Sequence, residues 1–235
     1  MKKVSFLIVA CILLFNMCPL MESNEATSNV EANLEVIEHA STTPEVGQTY
    51  TFGSYEQDDN TGNGKEEIEW FVLDKQDDRI LVISKYALDC KPYNETLEDV
   101  TWETCTLRTW LNNDFINSAF SDEEKSRIPM VTVLADKQNA GNDIDTQDKV
   151  FLLSLSELNE YFAPGNARKC TATTYAESRG AVESYHGECC WWLRSAVEPV
   201  GNTNLLNYVG STYGADAGTS NIYRAVRSAM WITIE

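Results

Sequence analysis

The sequence predicts an α+β domain built from antiparallel sheets and a few short helices, and three observations carry that prediction. Apolar and polar residues alternate through the first third of the domain, which is a strand pattern. The middle third has apolar residues at helical spacing and two capping boxes. The last third returns to aromatic strands separated by Gly-, Asn-, Ser- and Tyr-rich stretches. Strands, then helices, then strands argue against an alternating, doubly wound sheet.

Taken in order, Gln48-Thr49-Tyr50-Thr51-Phe52 reads as a first strand. Ile68, Trp70 and Val72 alternate with Glu69, Phe71 and Leu73, and Ile80–Ile83 follows after Gln76-Asp77-Asp78, which makes a hairpin. Leu107, Trp110, Leu111, Phe115, Ile116, Ala119 and Phe120 recur at helical spacing, so Trp110 is expected to share a buried face with Leu107 and Leu111. Ser121–Glu124 is a capping box opening a second helix, which Pro129 ends. Val150–Leu153 is a strand. Ser154–Glu157 is a second capping box, leading into Leu158, Tyr161 and Phe162. Tyr175–Arg179 is a short helix closed by Gly180. Cys189–Ser195 and Ala225–Ile232 are the late strands. On a strand Trp191 and Trp192 point to opposite faces, so they read as structural rather than as a joint stacking platform.

Ahead of the domain, Lys2 and Lys3 precede an almost wholly apolar run from Val4 to Phe15. This is the layout of a secretory signal or N-terminal anchor over residues 1–21, and it is short for a spanning helix. Ile8-Val9-Ala10-Cys11 resembles a lipoprotein box, which makes Cys11 a lipidation candidate. Residues 22–44 are rich in Glu, Ser, Asn and Thr with no aromatic residue, and read as a flexible polar linker. From residue 45 to 235 the chain reads as one domain, large enough for a single core. The expected location is therefore extracytoplasmic, secreted or membrane-tethered, with membrane contact only through the N-terminal segment.

The chain carries 18 basic and 36 acidic residues, a net charge of −18. That balance excludes a nucleic-acid phosphate backbone as partner and opposes adsorption on anionic lipid. The domain holds Cys90, Cys105, Cys170, Cys189 and Cys190. In an exported protein disulfides are the first expectation. Spacing alone does not give connectivity, but pairing Cys90 with Cys105 and Cys170 with Cys189 closes the shortest loops and leaves Cys190 over. No C-x-x-C knuckle supports zinc. His186 lies near Cys189, yet no orienting group or oxyanion turn completes a catalytic pair. Two acidic stretches, Asp58–Gly64 and Asn142–Asp148, depart from the EF-hand pattern. No catalytic residue, metal or cofactor is expected.

Several motifs together resemble one family. They include Phe52–Gln57, Ile68–Leu73, Ala87–Tyr93, Thr101–Cys105, Leu107–Asn112, Asp148–Ser154, Trp191–Ser195 and Val226-Arg227. In these the chain resembles the bacterial domain-of-unknown-function family DUF 6273, common in secreted and surface proteins of clostridia-like bacteria. Ala196 and Ser228 stand where that family usually has proline. The family is similar in layout to C-type-lectin-like and formylglycine-generating-enzyme-like domains. The resemblance implies a non-catalytic recognition or adhesion module binding a glycan or surface protein. Its ligand surface would be the late loops, Glu198–Asn204 and Gly210–Asn221, with Asn202, Asn204, Tyr213, Asp216 and Asn221 as candidate contacts. The alternative is a thiol-dependent enzyme of the formylglycine-generating type.

Overall fold

A β-bulge near the start of the domain decides how its first sheet meets its helices. Strand β1 (Thr49–Tyr55) runs antiparallel to β2 (Glu66–Gln76), and the register shifts between Thr51 and Ser54. Gly53 stands in that bulge at φ +73°, a left-handed conformation that disfavours any residue with a Cβ. Its N–H donates to Glu124 Oε1 at 3.0 Å, and the Phe120 ring lies where a Cβ would go. This is a computed structural model, and it describes residues 43–96, 98, 100–136, 144–181, 188–197, 202–206, 212–215 and 223–234. The expected leader with Cys11, and nearly all of the linker, lie outside the described residues.

The β2–β3 hairpin forms as expected, with β3 at Arg79–Ser84 and Gln76 opposite Arg79. Asp77 takes the positive φ of the turn, which Asp tolerates better than most residues. Strand β12 (Ala229–Thr233) adds to β3, and the short β7 (Val150–Phe151) adds to β12. The first sheet therefore has the order β1-β2-β3-β12-β7. The second sheet is β10-β9-β8-β11-β4, made of β4 (Asp89–Pro92), β8 (Trp191–Val197), β9 (Asn202–Leu206), β10 (Thr212–Ala215) and β11 (Tyr223–Val226). A small ribbon pairs β5 (Val131–Val133) with β6 (Thr146–Asp148).

The sheets are not purely antiparallel, because β8 and β11 pair in parallel at Trp191 and Ala225. The chain between them is long enough to return through the β9–β10 hairpin, and a parallel pair needs such a crossover. The chain passes from the second sheet to the first at Arg227-Ser228, where the Ser228 carbonyl accepts the Ser84 N–H. The domain is α+β with mixed sheets and short helices.

The helical region after Cys105 comprises α1 (Thr106–Trp110), a π-helical turn (Leu111–Phe115) and α2 (Ile116–Ala119). Asn112 stands in the π turn. Its side-chain oxygen accepts the Lys149 and Val150 N–H groups at 2.8 and 3.1 Å, and its nitrogen donates to the Val150 carbonyl at 2.8 Å. The amide thus completes the backbone bonding of β7, and the helix widens at that residue. Leu107 and Leu111 are fully buried, as their spacing predicts. Trp110 is only partly buried: it packs against the edge of the core, its ring 5.5 Å from that of Phe115, and carries Lys91 Nζ over its ring at 4.9 Å.

Both capping boxes form, Ser121 with Glu124 opening α3 (Asp122–Ser126) and Ser154 with Glu157 opening α4 (Leu155–Tyr161). The helix at α5 (Thr174–Ser178) ends at Gly180, φ +105°. The expected strand Val150–Leu153 is shorter than its apolar run: Leu152 and Leu153 are buried but leave the sheet, where their carbonyl groups meet Arg194. Trp70, Trp191 and Trp192 are fully buried, and each indole N–H donates to a backbone carbonyl. Burial of each contributes about 2–3 kcal/mol, provided that the N–H finds its partner.

Candidate functional site

The first turn of α4 leaves backbone N–H groups without intrahelical partners, and three side chains converge to accept them. Ser154 Oγ accepts Glu157 N–H at 3.0 Å, Ser195 Oγ accepts Leu155 N–H at 2.7 Å and Asp136 accepts Ser156 N–H at 3.2 Å. These side chains come from three separate parts of the chain, so the helix start is a junction. Asp136 is buried there, and its carboxylate also accepts Ser156 Oγ–H and Ser195 Oγ–H, both at 2.6 Å. A carboxylate at a helix N-terminus is favoured by the helix dipole.

Arg194, on β8, closes the junction from the other side. Its guanidinium grips Glu157 with both terminal nitrogens, one of them to Glu157 Oε1 at 2.9 Å. It also donates to the carbonyls of Leu152 and Leu134 at 2.8 and 3.1 Å. Arg194 is thus a buried arginine paired to a carboxylate, as its position on an apolar strand implies. Together these groups form one wall of a cleft of about 420 Å³. The rest of the lining is Leu134, Ala135, Asp145, Glu160 and Tyr161. Burial, and then the charges of Glu160, Asp74 and Glu157, push the Tyr161 phenol up to about 12, so it stays neutral.

The cleft combines an exposed apolar rim at Leu134, an aromatic ring at Tyr161 and open carboxylates at Asp145 and Glu160. Its one arginine is already spent on Glu157. Carboxylates accept hydrogen bonds from hydroxyl groups, and an aromatic face packs on the C–H face of a sugar. The volume lies within the range of small-ligand sites, about 300–1,000 Å³. The arrangement suits a neutral or amine-bearing, hydroxyl-rich ligand and repels an anionic one.

The residues expected to bind ligand fall elsewhere. Asn202 and Asn204 lie in β9 and Tyr213 in β10, so they are strand residues and not loop residues. The reason is a hairpin: Asn204 pairs with Gly214 and Leu205 with Tyr213, while Asn202 pairs with Val197 of β8. Asp216 and Asn221 lie outside the described residues, as does His186. The cleft is hidden in the sequence because its parts are far apart in the chain. The second capping box and Arg194 were its visible signals.

The five cysteines of the domain are buried free thiols in this structure. Cys90 sits in β4 opposite Ala225, and Cys105 caps α1 by accepting the Arg108 N–H at 3.4 Å. Burial pushes both thiols up to about 12, helped at Cys90 by the Asp89 charge. Cys170 and Cys189 are neighbours: Cys189 N–H donates to the Cys170 carbonyl at 2.8 Å.

In the first acidic loop the carboxylates of Glu56, Asp58 and Glu66 come within 4.8 Å of one another. They are engaged by the loop itself. Asn60 N–H donates to Glu56 and Asp58, Asn63 Nδ2 to Asp58, and Gln57 N–H to Glu66. In the second acidic stretch Asp145 accepts the Ala135 N–H, and Asp148 is buried against Arg108, Trp102 and Thr146. Asn142 and Asp143 lie outside the described residues.

A family model described as a domain of unknown function, DUF6273, matches residues 77–234, a span that includes every residue lining the cleft. No curated protein and no solved structure matches the chain.

Proposed function

The chain belongs to the DUF6273 family of domains of unknown function, and on that premise we propose that it is a non-catalytic recognition module that binds a glycan. The observation that carries the reading is the cleft beside α4, with Tyr161 as stacking face and Asp145 and Glu160 as acceptors. The preferred ligand is a neutral or amine-bearing saccharide, because the cleft adds acidic groups to a chain already at −18. The site works outside the cytoplasm, where the N-terminal leader and linker would deliver and tether it, and its partner is a glycan of a cell surface. A C-type-lectin-like layout belongs to the same proposal, with β8 carrying Arg194 to the cleft and the β9–β10 hairpin extending the surface. A binding screen of the full chain against immobilised neutral, amine-bearing and acidic glycans tests the reading. Binding confined to the first two classes supports it, and binding only to acidic glycans, or to none of the three classes, contradicts it.

A further inference from the structure

Cys170 and Cys189 occupy directly facing positions in an antiparallel bridge. Thr171 pairs with Glu188, and the next pair along is Cys170 with Cys189, joined by the 2.8 Å main-chain bond. Facing residues joined in this way have Cα atoms roughly 5.5 Å apart. That lies inside the window of about 4.4–6.8 Å that a disulfide requires. Both side chains are buried; the Cys189 thiol donates to the Cys170 carbonyl at 3.3 Å, and the Cys170 thiol donates to the Thr171 carbonyl at 3.5 Å.

Arg227 makes this pair different from the other cysteines. It is 1% exposed, and its guanidinium lies over the Trp191 ring at 5.1 Å and the Phe162 ring at 5.4 Å. Nε donates to the Ser84 carbonyl at 2.9 Å. Among the described residues Nη1 has no hydrogen-bond partner, and no carboxylate forms an ion pair with Arg227. A buried guanidinium left in that condition is costly unless a negative charge stands near it. Among the described residues, the charge of Arg227 acts on the Cys170 and Cys189 thiols. Burial opposes ionisation of Cys170, but the neighbouring Cys189 thiol and the Arg227 charge outweigh it and draw Cys170 down. Ionisation of Cys189 is correspondingly suppressed by the hydrogen bond it donates and by burial.

We propose that Cys170 and Cys189 form a redox-active dithiol, converted to a disulfide by a peroxide, with Arg227 holding the charge of the attacking sulfur. The Cys170 thiolate attacks one oxygen of hydrogen peroxide. An S–O bond forms, the O–O bond breaks, and the departing hydroxide becomes water with the proton that Cys170 had released. The Cys189 sulfur then attacks the Cys170 sulfenic acid. The S–S bond forms, the S–O bond breaks, and the hydroxyl leaves as a second water with the Cys189 proton. The two sulfurs give up two electrons, and the peroxide is reduced to two waters. The product staples the segment that carries α5 to the chain entering β8.

The test uses the full chain, reduced, desalted and treated with stoichiometric hydrogen peroxide. Free thiols are then alkylated under denaturing conditions and mapped by peptide mass spectrometry. The expected result is loss of two thiols, one linked peptide pair containing Cys170 and Cys189, and a melting temperature raised by about 5–10 °C that reverts with dithiothreitol. Arg227→Met should slow the reaction about tenfold at neutral pH, with Arg227→Lys restoring most of the rate. If Arg227→Met does not fold, the pH profile of the unmodified chain decides. A rate midpoint below the ordinary thiol value of about 8.5 supports the proposal, and one at or above it overturns it. Recovery of both cysteines as alkylated thiols, their oxidation to unlinked sulfinic acids, or a bridge to another cysteine also overturns it. None of these readouts depends on ligand binding in the cleft, so the two readings fail separately.

Discussion

Arg194 and Glu157 face each other across the start of α4, and the arginine holds the carboxylate with both ends of its guanidinium. The pair joins the second sheet to the helix that lines the cleft, and two further bonds tie the arginine to the carbonyls of Leu152 and Leu134. Replacing Arg194 by Leu should cost about 3 kcal/mol, because it strands a half-buried carboxylate and two carbonyl acceptors together. Urea unfolding of the variant against the parent measures this. A loss under about 1 kcal/mol would mean that the pair is peripheral to the fold.

Gly53 gives the sharpest steric prediction. A Cβ there would stand 2.4 Å from the Phe120 ring and 2.8 Å from the Ala119 carbonyl, at a φ that L-residues avoid. Gly53→Ala should therefore destabilise by roughly 2–4 kcal/mol, combining backbone strain with an overpacked contact. Thermal unfolding followed by circular dichroism checks it, and an unchanged melting point would show that the bulge is misplaced.

Asn112 substitutes for a strand, so its loss should be felt in β7. Asn112→Ala removes the acceptor for two N–H groups and the donor to the Val150 carbonyl. A cost of about 2–3 kcal/mol is expected. Amide hydrogen exchange at Lys149 and Val150 should accelerate in the variant. Unaltered protection at those two amides would contradict the role assigned to the side chain.

The pH dependence follows from the buried thiols. Cys90 and Cys105 are pushed up from about 9 to about 12, chiefly by burial, so the fold favours their neutral forms. That contribution is complete below the unfolded value near 9 and is lost as pH rises toward 12. Tyr55, raised by burial and by its 2.6 Å bond to Asp89, adds to the same alkaline loss above pH 10. The melting temperature should fall as pH rises from about 9 toward 11. Cys105→Ala should make the fall shallower, and a level profile to pH 11 would contradict the assignment.

Local signals were legible in the sequence and long-range ones were not. The hairpin at Asp77-Asp78, both capping boxes and the Gly180 stop all depend on residues within four positions of one another. Helical spacing names the face on which Trp110 lies but cannot say how wide the core beneath it is; the ring meets Phe115 and also carries Lys91, at the edge of that core. Asn202, Asn204 and Tyr213 read as loop because polar composition hides strand pairing, which register alone reveals. The cleft needs Asp136, Glu157, Tyr161 and Arg194 together, and only the sheet order brings these into one place.

The most direct test of the glycan-binding account is calorimetric titration of the full chain and of Tyr161→Ala with a saccharide found by the glycan screen. Tyr161 lines the cleft and is only partly buried, so the variant should keep its melting temperature to within a few degrees. The account predicts that affinity falls at least tenfold in Tyr161→Ala, while a Tyr213→Ala variant on β10 binds like the parent. Undiminished affinity in Tyr161→Ala, with binding lost in Tyr213→Ala, would move the ligand from the cleft to the late strands and contradict the account.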